Sequence, residues 1–168
     1  SKLQFIPAMF MPELINSHIN NRLFEVNEDY CRFVYFEEKE INAKFIDPET
    51  KLMVFADKSQ IERVLSNYIS NACSHAKNEK EIIVSVFDIG NKYKVSVYNS
   101  GSFIDDKDKD NIFNSFYRAD KAHSRKEGRF GLGLSIVKSI MDMHKCECGF
   151  TNKENGVEFW FEIEKAKG

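Results

Sequence analysis

The feature that most constrains this chain is a run of glycines set directly against an apolar segment. Gly128-Arg-Phe-Gly131-Leu-Gly133-Leu134 runs on into Ser135-Ile-Val-Lys-Ser-Ile-Met-Asp-Met-His144. There Leu134, Val137, Ile140, Met141 and His144 recur every third or fourth residue, the spacing of a helix with one buried face. Glycines just ahead of a helix let the backbone come close to a ligand and leave N–H groups pointing outward. The helix dipole adds to this, and the result is an anion site. A flexible loop ending at an ordinary core helix gives the same local pattern, so both readings stand on this stretch alone.

A chain of 168 residues with 42% hydrophobic content can bury one core, and it reads as a single domain over residues 1–168. The net charge of -2 argues against a broad nucleic-acid surface, so no nucleic-acid partner is expected. No apolar run is long enough to cross a bilayer and no signal peptide is visible. The chain opens on Ser1-Lys2 without an initiator methionine, which is expected of a fragment; the missing span then says little about the parent. Cys31, Cys73, Cys146 and Cys148 include no Cys-x-x-Cys pair. Cys146 and Cys148 have strand spacing, a poor start for a tetrahedral zinc site, and buried free thiols in a reducing cytosol are expected.

In chain order, residues 1–11 read as an extended lead-in. A helix follows from Pro12 to about Phe24 on the stripe Leu14, Ile15, Ile19 and Leu23. Residues 31–36, 41–46 and 52–56 read as strands, with a solvated turn at 37–40 and an Asp-Pro turn at 47–50. Asp57 is placed to cap a helix over about 58–76, with Ile61, Val64, Leu65, Tyr68, Ile69, Ala72 and Ala76 on one apolar stripe. Asn67, Asn71 and His75 stand four residues apart on the flank of that stripe. Amides beside a core face are costly without partners, which favours a ligand site over two surface asparagines. Residues 81–88 and 93–98 form a hairpin about Ile89-Gly90-Asn91, and its second strand runs into Asn99-Ser100-Gly101-Ser102-Phe103-Ile104. Residues 105–110 read as a solvated charge run whose last residue, Asp110, caps a short helix at 111–116. Residues 117–130 are basic and weakly periodic, which suits a mobile lid over phosphates. Two final strands, 146–152 and 157–164, turn at Asn155-Gly156.

The order of these pieces is more specific than any one of them. Asn67-Tyr-Ile-Ser-Asn71-Ala resembles the N box of the sensor histidine kinases. Asn99-Ser-Gly101 stands in the place of their first glycine box, and Ile112-Phe-Asn-Ser-Phe116-Tyr-Arg118-Ala-Asp120 resembles their F box. Gly128-x-x-Gly131-Leu-Gly133-Leu134-Ser-Ile-Val is similar to their second glycine box. The resemblance covers roughly residues 57–144. It implies their catalytic and ATP-binding domain: an α+β fold, a two-layer α/β sandwich in which a mixed sheet is packed on one face by helices, with a mobile ATP lid. That fold is shared with gyrase, the Hsp90 chaperones and MutL. The Asn-Ser-Gly variant followed by Ile104 is similar to a Gram-positive subgroup that includes vancomycin-type and related peptide-antibiotic sensors.

The same resemblance implies roles. Asn71 would ligate Mg²⁺ through its amide oxygen, with Asn67 supporting the metal or the phosphates of ATP and His75 near the nucleotide. Asn99 would accept from the adenine amine, Gly101 would let the base lie close, and Ile104 would border it. Arg118 and Lys121 would reach the terminal phosphates. Gly128, Gly131, Leu132, Gly133 and Leu134 would form the phosphate-binding turn. Asn67 stands where related ATPases carry a Glu that activates water, and an amide cannot take a proton, so hydrolysis is disfavoured. The phosphoacceptor is then expected on a separate helical-hairpin dimerisation domain, because His18, His75, His123 and His144 all lack the acidic neighbour of the acceptor pattern. A response regulator, a homodimeric and membrane-anchored parent, and a place on the cytoplasmic side of the membrane are further implications.

This chain departs from the pattern at four positions. Asn99 replaces an Asp, Phe103 replaces a glycine, Ser74 replaces a lysine and Arg129 replaces a glycine. The neutral acceptor at residue 99 predicts weaker nucleotide binding. A nucleotide-binding or protein-interaction module with weakened or lost kinase activity is the rival reading.

Overall fold

The computed structural model of the protein describes residues 2–5, 21–25, 31–36, 41–46, 52–114 and 133–167. The described elements are β1 Lys2–Phe5, β2 Asn21–Glu25, β3 Cys31–Phe36, β4 Ile41–Ile46, β5 Leu52–Phe55, α1 Lys58–His75, β6 Glu81–Asp88, β7 Lys92–Ser100, α2 Gly133–Met143, β8 Cys148–Lys153 and β9 Gly156–Glu164. Seven strands form one sheet in the order β2-β3-β4-β6-β7-β9-β8, while β1 pairs with β5 in a separate ribbon. Only β4 and β6 are parallel among these neighbours, so the sheet is mixed as expected. Parallel neighbours need a long crossover, and β5 with α1 supplies it.

Strand alternation builds the inner face. Ile82 and Val84 on β6, Val95 and Val97 on β7, and Val157, Phe159, Phe161 and Ile163 on β9 are all buried. Against them α1 turns Ile61, Val64, Leu65, Tyr68, Ile69, Ala72 and Cys73. The Tyr68 ring lies 5.6 Å from Phe159 and 6.2 Å from Phe161, and its hydroxyl donates to the Trp160 carbonyl at 2.9 Å. Each large side chain so buried contributes roughly 1.5–3 kcal/mol. Burial also pushes the Tyr68 phenol well above its ordinary pKa.

The helix ends follow from local chemistry. The Asp57 carboxylate accepts from the Gln60 N–H at 3.1 Å and the Ser59 hydroxyl at 2.9 Å, and these bonds hold it below the usual carboxylate range. At the end of α2, the Cys146 N–H donates to the Met141 carbonyl and the Lys145 N–H to the Asp142 carbonyl, with Lys145 at φ 54°. This is a Schellman closure with lysine in the position glycine usually takes. Cys73 and Cys146 are buried and Cys148 is half-buried, none of them in a disulfide, and burial raises the thiols of the last two.

Five expectations change. The helix expected to reach Phe24 gives way to β2 over Asn21–Glu25, where Leu23 pairs with Val34 and Phe24 with Phe33. A sparse apolar spacing there was outweighed by pairing with a neighbouring strand; the rest of that stretch, residues 6–20, and the turns at 37–40 and 47–50 lie outside the described residues. The charge run is not wholly solvated, since Asp108 is 4% exposed. A 3-10 turn at Asp106–Asp108 precedes further turns, in which the Asn111 and Ile112 N–H groups both donate to the Asp108 carbonyl. No α-helix runs through residues 111–114, and 115–116 are outside the described residues. The last hairpin turns at Glu154-Asn155, because Gly156 already pairs with both Ser100 and Lys153. Finally, β8 opens at Cys148, so Cys146 and Cys148 do not share one strand.

Candidate functional site

Two contacts set the helices against each other. The Asp57 N–H donates to His144 Nε2 at 3.2 Å, and His144 Nδ1 lies 2.8 Å from the Ile140 carbonyl. That pairing makes Nδ1 the protonated nitrogen and Nε2 the acceptor. At the other end, a Cβ built on Gly133 would lie 3.5 Å from Asn67 Oδ1. At a rise of about 1.5 Å per residue, Asp57 to Asn67 and Gly133 to His144 both span roughly 15–17 Å, so α1 and α2 run antiparallel. The amino terminus of α2 therefore opens onto the middle of α1, beside Asn67.

At that opening the Asn67 side chain is incompletely bonded. Its Nδ2 is buried and has no hydrogen-bond partner among the described residues. An orphaned buried donor costs about 1–3 kcal/mol, which an anionic or carbonyl oxygen from a ligand would offset. Asn71 follows one turn later and is half-buried, while His75 is the exposed last residue of α1. Leu134 packs its side chain against the core, which leaves its N–H, with that of Gly133, at the helix opening. Ser74, the replacement for a lysine, turns its hydroxyl back to the Ser70 carbonyl at 3.1 Å.

The other end of the candidate site is built from the close of β7. Val95, Val97 and Asn99 alternate, so Asn99 takes the next inward place in an apolar column and is 1% exposed. Its Nδ2 donates to the Ser102 hydroxyl at 2.7 Å and to the Ser100 carbonyl at 3.3 Å. Gly101 follows at φ 79°, and a Cβ there would sit 2.6 Å from the Lys77 carbonyl. Its glycine thus serves a close approach to the chain leaving α1. Ile104 is held by a two-point clamp: its N–H donates to Asn152 Oδ1 at 3.0 Å and its carbonyl accepts from Asn152 Nδ2 at 2.9 Å. Phe103 is 54% exposed.

The structure thus brings Asn67 and Gly133 together, and it strings Asn71, His75, Asn99, Gly101 and Ile104 along α1 and the adjoining strand end. Arg118, Lys121, Gly128, Gly131, Leu132 and the whole stretch 117–130 lie outside the described residues, as do His18 and His123. Sequence reasoning missed Ser102 and Asn152. Ser102 stands three residues after Asn99, a spacing that signals local side-chain bonding; Asn152 is remote in sequence and offers no such signal.

The arrangement suits a hard cation and a polyanion. The unpartnered Asn67 donor and the α2 N–H groups can bind phosphate oxygens, and an asparagine oxygen at residue 71 is a chemically fitting Mg²⁺ ligand. A family model described as histidine kinase-, DNA gyrase B-, and HSP90-like ATPase matches residues 56–167. The chain is 37% identical over 123 residues to the sensor protein VanSB of Enterococcus faecalis, covering 73% of this chain and 28% of that protein. It is 30% identical over 166 residues to the sensor histidine kinase WalK of Bacillus subtilis, covering 90% and 25%. It therefore spans about a quarter of the length of these relatives. Among solved structures it superposes on the catalytic domain of the histidine kinase ThkA, in a nucleotide-free form, with a TM-score of 0.68 and 32% identity over 98% of both chains. ThkA in complex with the response regulator protein TrrA gives a TM-score of 0.69 at 28% identity, covering 99% of this chain and 42% of that one.

Proposed function

The chain belongs to the histidine kinase-, DNA gyrase B- and HSP90-like ATPase family, and we propose that it is the catalytic domain of a sensor histidine kinase, binding Mg-ATP and passing the γ-phosphoryl group to a histidine on a separate dimerisation domain. The observation that supports this most is the meeting of the orphaned Asn67 amide with the glycine that opens α2. Phosphoryl transfer asks a protein mainly for positioning and charge stabilisation. In this reading Asn67 and the N–H groups at residues 133 and 134 hold the phosphate chain, Asn71 holds Mg²⁺, and Asn99 accepts from the adenine amine. When bound, Mg²⁺ supplies charge neutralisation across the phosphates. Arg118 and Lys121, with Gly128, Gly131 and Leu132, are the further residues that this reading assigns to the phosphates.

Asn67 has no basic oxygen or nitrogen with which to activate water, so the attacking atom is a histidine nitrogen from another domain. A P–N bond forms as the bond to the β-phosphate oxygen breaks, and ADP leaves. A response regulator then receives the group, by analogy with the ThkA–TrrA complex. No helix of the described residues is long and apolar enough to cross a membrane. By analogy with the sensor relatives, we place this domain on the cytoplasmic side of a membrane-anchored, homodimeric parent.

The test is incubation of the chain with γ-labelled Mg-ATP, alone and with a supplied acceptor hairpin. Label is expected on the hairpin and none, stably, on the chain alone. Nucleotide binding without transfer supports the second reading, a binding module, which the neutral Asn99 in an Asp position favours. Stable label on the isolated chain contradicts the separate acceptor.

A further inference from the structure

We propose that Asn152 is a positioning residue for nucleotide binding, whose side chain pins the loop after Asn99 from a different hairpin. The inference rests on the reading of Asn99, Gly101 and Ile104 as the part of the site that receives the base. Residues 102–105 belong to no helix or strand, so their backbone groups need partners from elsewhere. Asn152 supplies two of them. Its Oδ1 accepts from the Ile104 N–H at 3.0 Å, and its Nδ2 donates to the Ile104 carbonyl at 2.9 Å. A backbone N–H only donates and a backbone carbonyl only accepts, so this pair of bonds fits one orientation of the amide.

The anchor is tied to the row that holds Asn99. Asn152 lies opposite Val157 in the β8–β9 ladder, and Val157 lies opposite Asn99 in the β7–β9 ladder. The same hairpin makes a second tie, because the Asn155 carbonyl accepts from the Gly101 N–H at 2.8 Å. The loop is therefore held at residue 101 and again at residue 104, and the Ile104 side chain packs against the core. With the second tie cut, the loop samples other conformations, and only the fraction in the pinned one is ready to bind. The cost falls on affinity more than on the fold, since Asn152 is exposed and water can take over its two bonds.

The experiment is calorimetric titration of Mg-ATP into the wild type, Asn152→Ala, Asn152→Asp and Asn99→Ala, with proton–nitrogen spectra of the ligand-free proteins. Asn152→Ala should lower ATP affinity about fivefold, the worth of one hydrogen bond. Its Ile104 amide should exchange faster with solvent, while the amides of residues 133–136 keep their wild-type positions. Asn152→Asp should lose affinity as well: it has the shape of asparagine, yet it sets an oxygen against the Ile104 carbonyl. Wild-type affinity in Asn152→Asp overturns the two-point clamp, because filling the space would then suffice. Unchanged affinity in Asn152→Ala, with ATP binding lost in Asn99→Ala, overturns the positioning role while the base contact stands. A loss in Asn152→Ala accompanied by displaced amides at residues 133–136 overturns it too, since the damage would then be general. Unaltered affinity in Asn99→Ala overturns the base contact and the positioning role together.

Discussion

Asn71→Ala is expected to abolish productive Mg-ATP binding, with a loss in affinity on the order of 100-fold or more and a matching loss of transfer to a supplied acceptor. Removing even an indirect metal partner costs about 10- to 100-fold, and a direct oxygen ligand costs at least that. The fold should survive, because residue 71 is half-buried within α1 and alanine is the strongest helix former. Calorimetry with Mg-ATP and a thermal melt of the same variant separate the two effects. Undiminished affinity and transfer in a folded Asn71→Ala variant contradict the metal role.

Gly101→Ala is expected to lower stability by about 3 kcal/mol, a melting temperature drop of roughly 6–12 °C for a chain of this size. Two terms add. A left-handed backbone disfavours any Cβ by about 1–2 kcal/mol, and here the Cβ would also lie 2.6 Å from the Lys77 carbonyl, a backbone group with no easy way to yield. Gly90→Ala separates the terms, since Gly90 sits at φ 98° with nothing within 4 Å of its Cβ position. It should lose only the backbone part, about 1 kcal/mol. Equal melting temperatures for the two variants contradict the close approach at Lys77.

What the sequence made legible was what local chemistry determines. The seven-position stripe and the Asp57 cap gave α1, and the alternation of Val95 and Val97 gave β7 and the inward place of Asn99. Motif order gave the family, because it needs several spacings at once. The failures share one cause: contacts remote in sequence. Leu23 sits in a strand because Val34 lies opposite it. Gly156 belongs to β9 rather than to a turn because it pairs with Ser100, which is 56 residues away in the chain. Asp108 leaves the solvent although its charged neighbours do not. At the site, the asparagines were legible as residue types, but the reason for Gly101 and the clamp from Asn152 needed the folded chain.

The central claim is that the amides of α1 and the opening of α2 share one triphosphate. The most direct measurement is a proton–nitrogen correlation titration with a non-hydrolysable ATP analogue and Mn²⁺ in place of Mg²⁺, followed at the side-chain amides of Asn67 and Asn71 and at the backbone amides of residues 133–136. Both groups should broaden together at stoichiometric nucleotide. Broadening that spares either group, or that centres on a different part of the sheet, contradicts the claim.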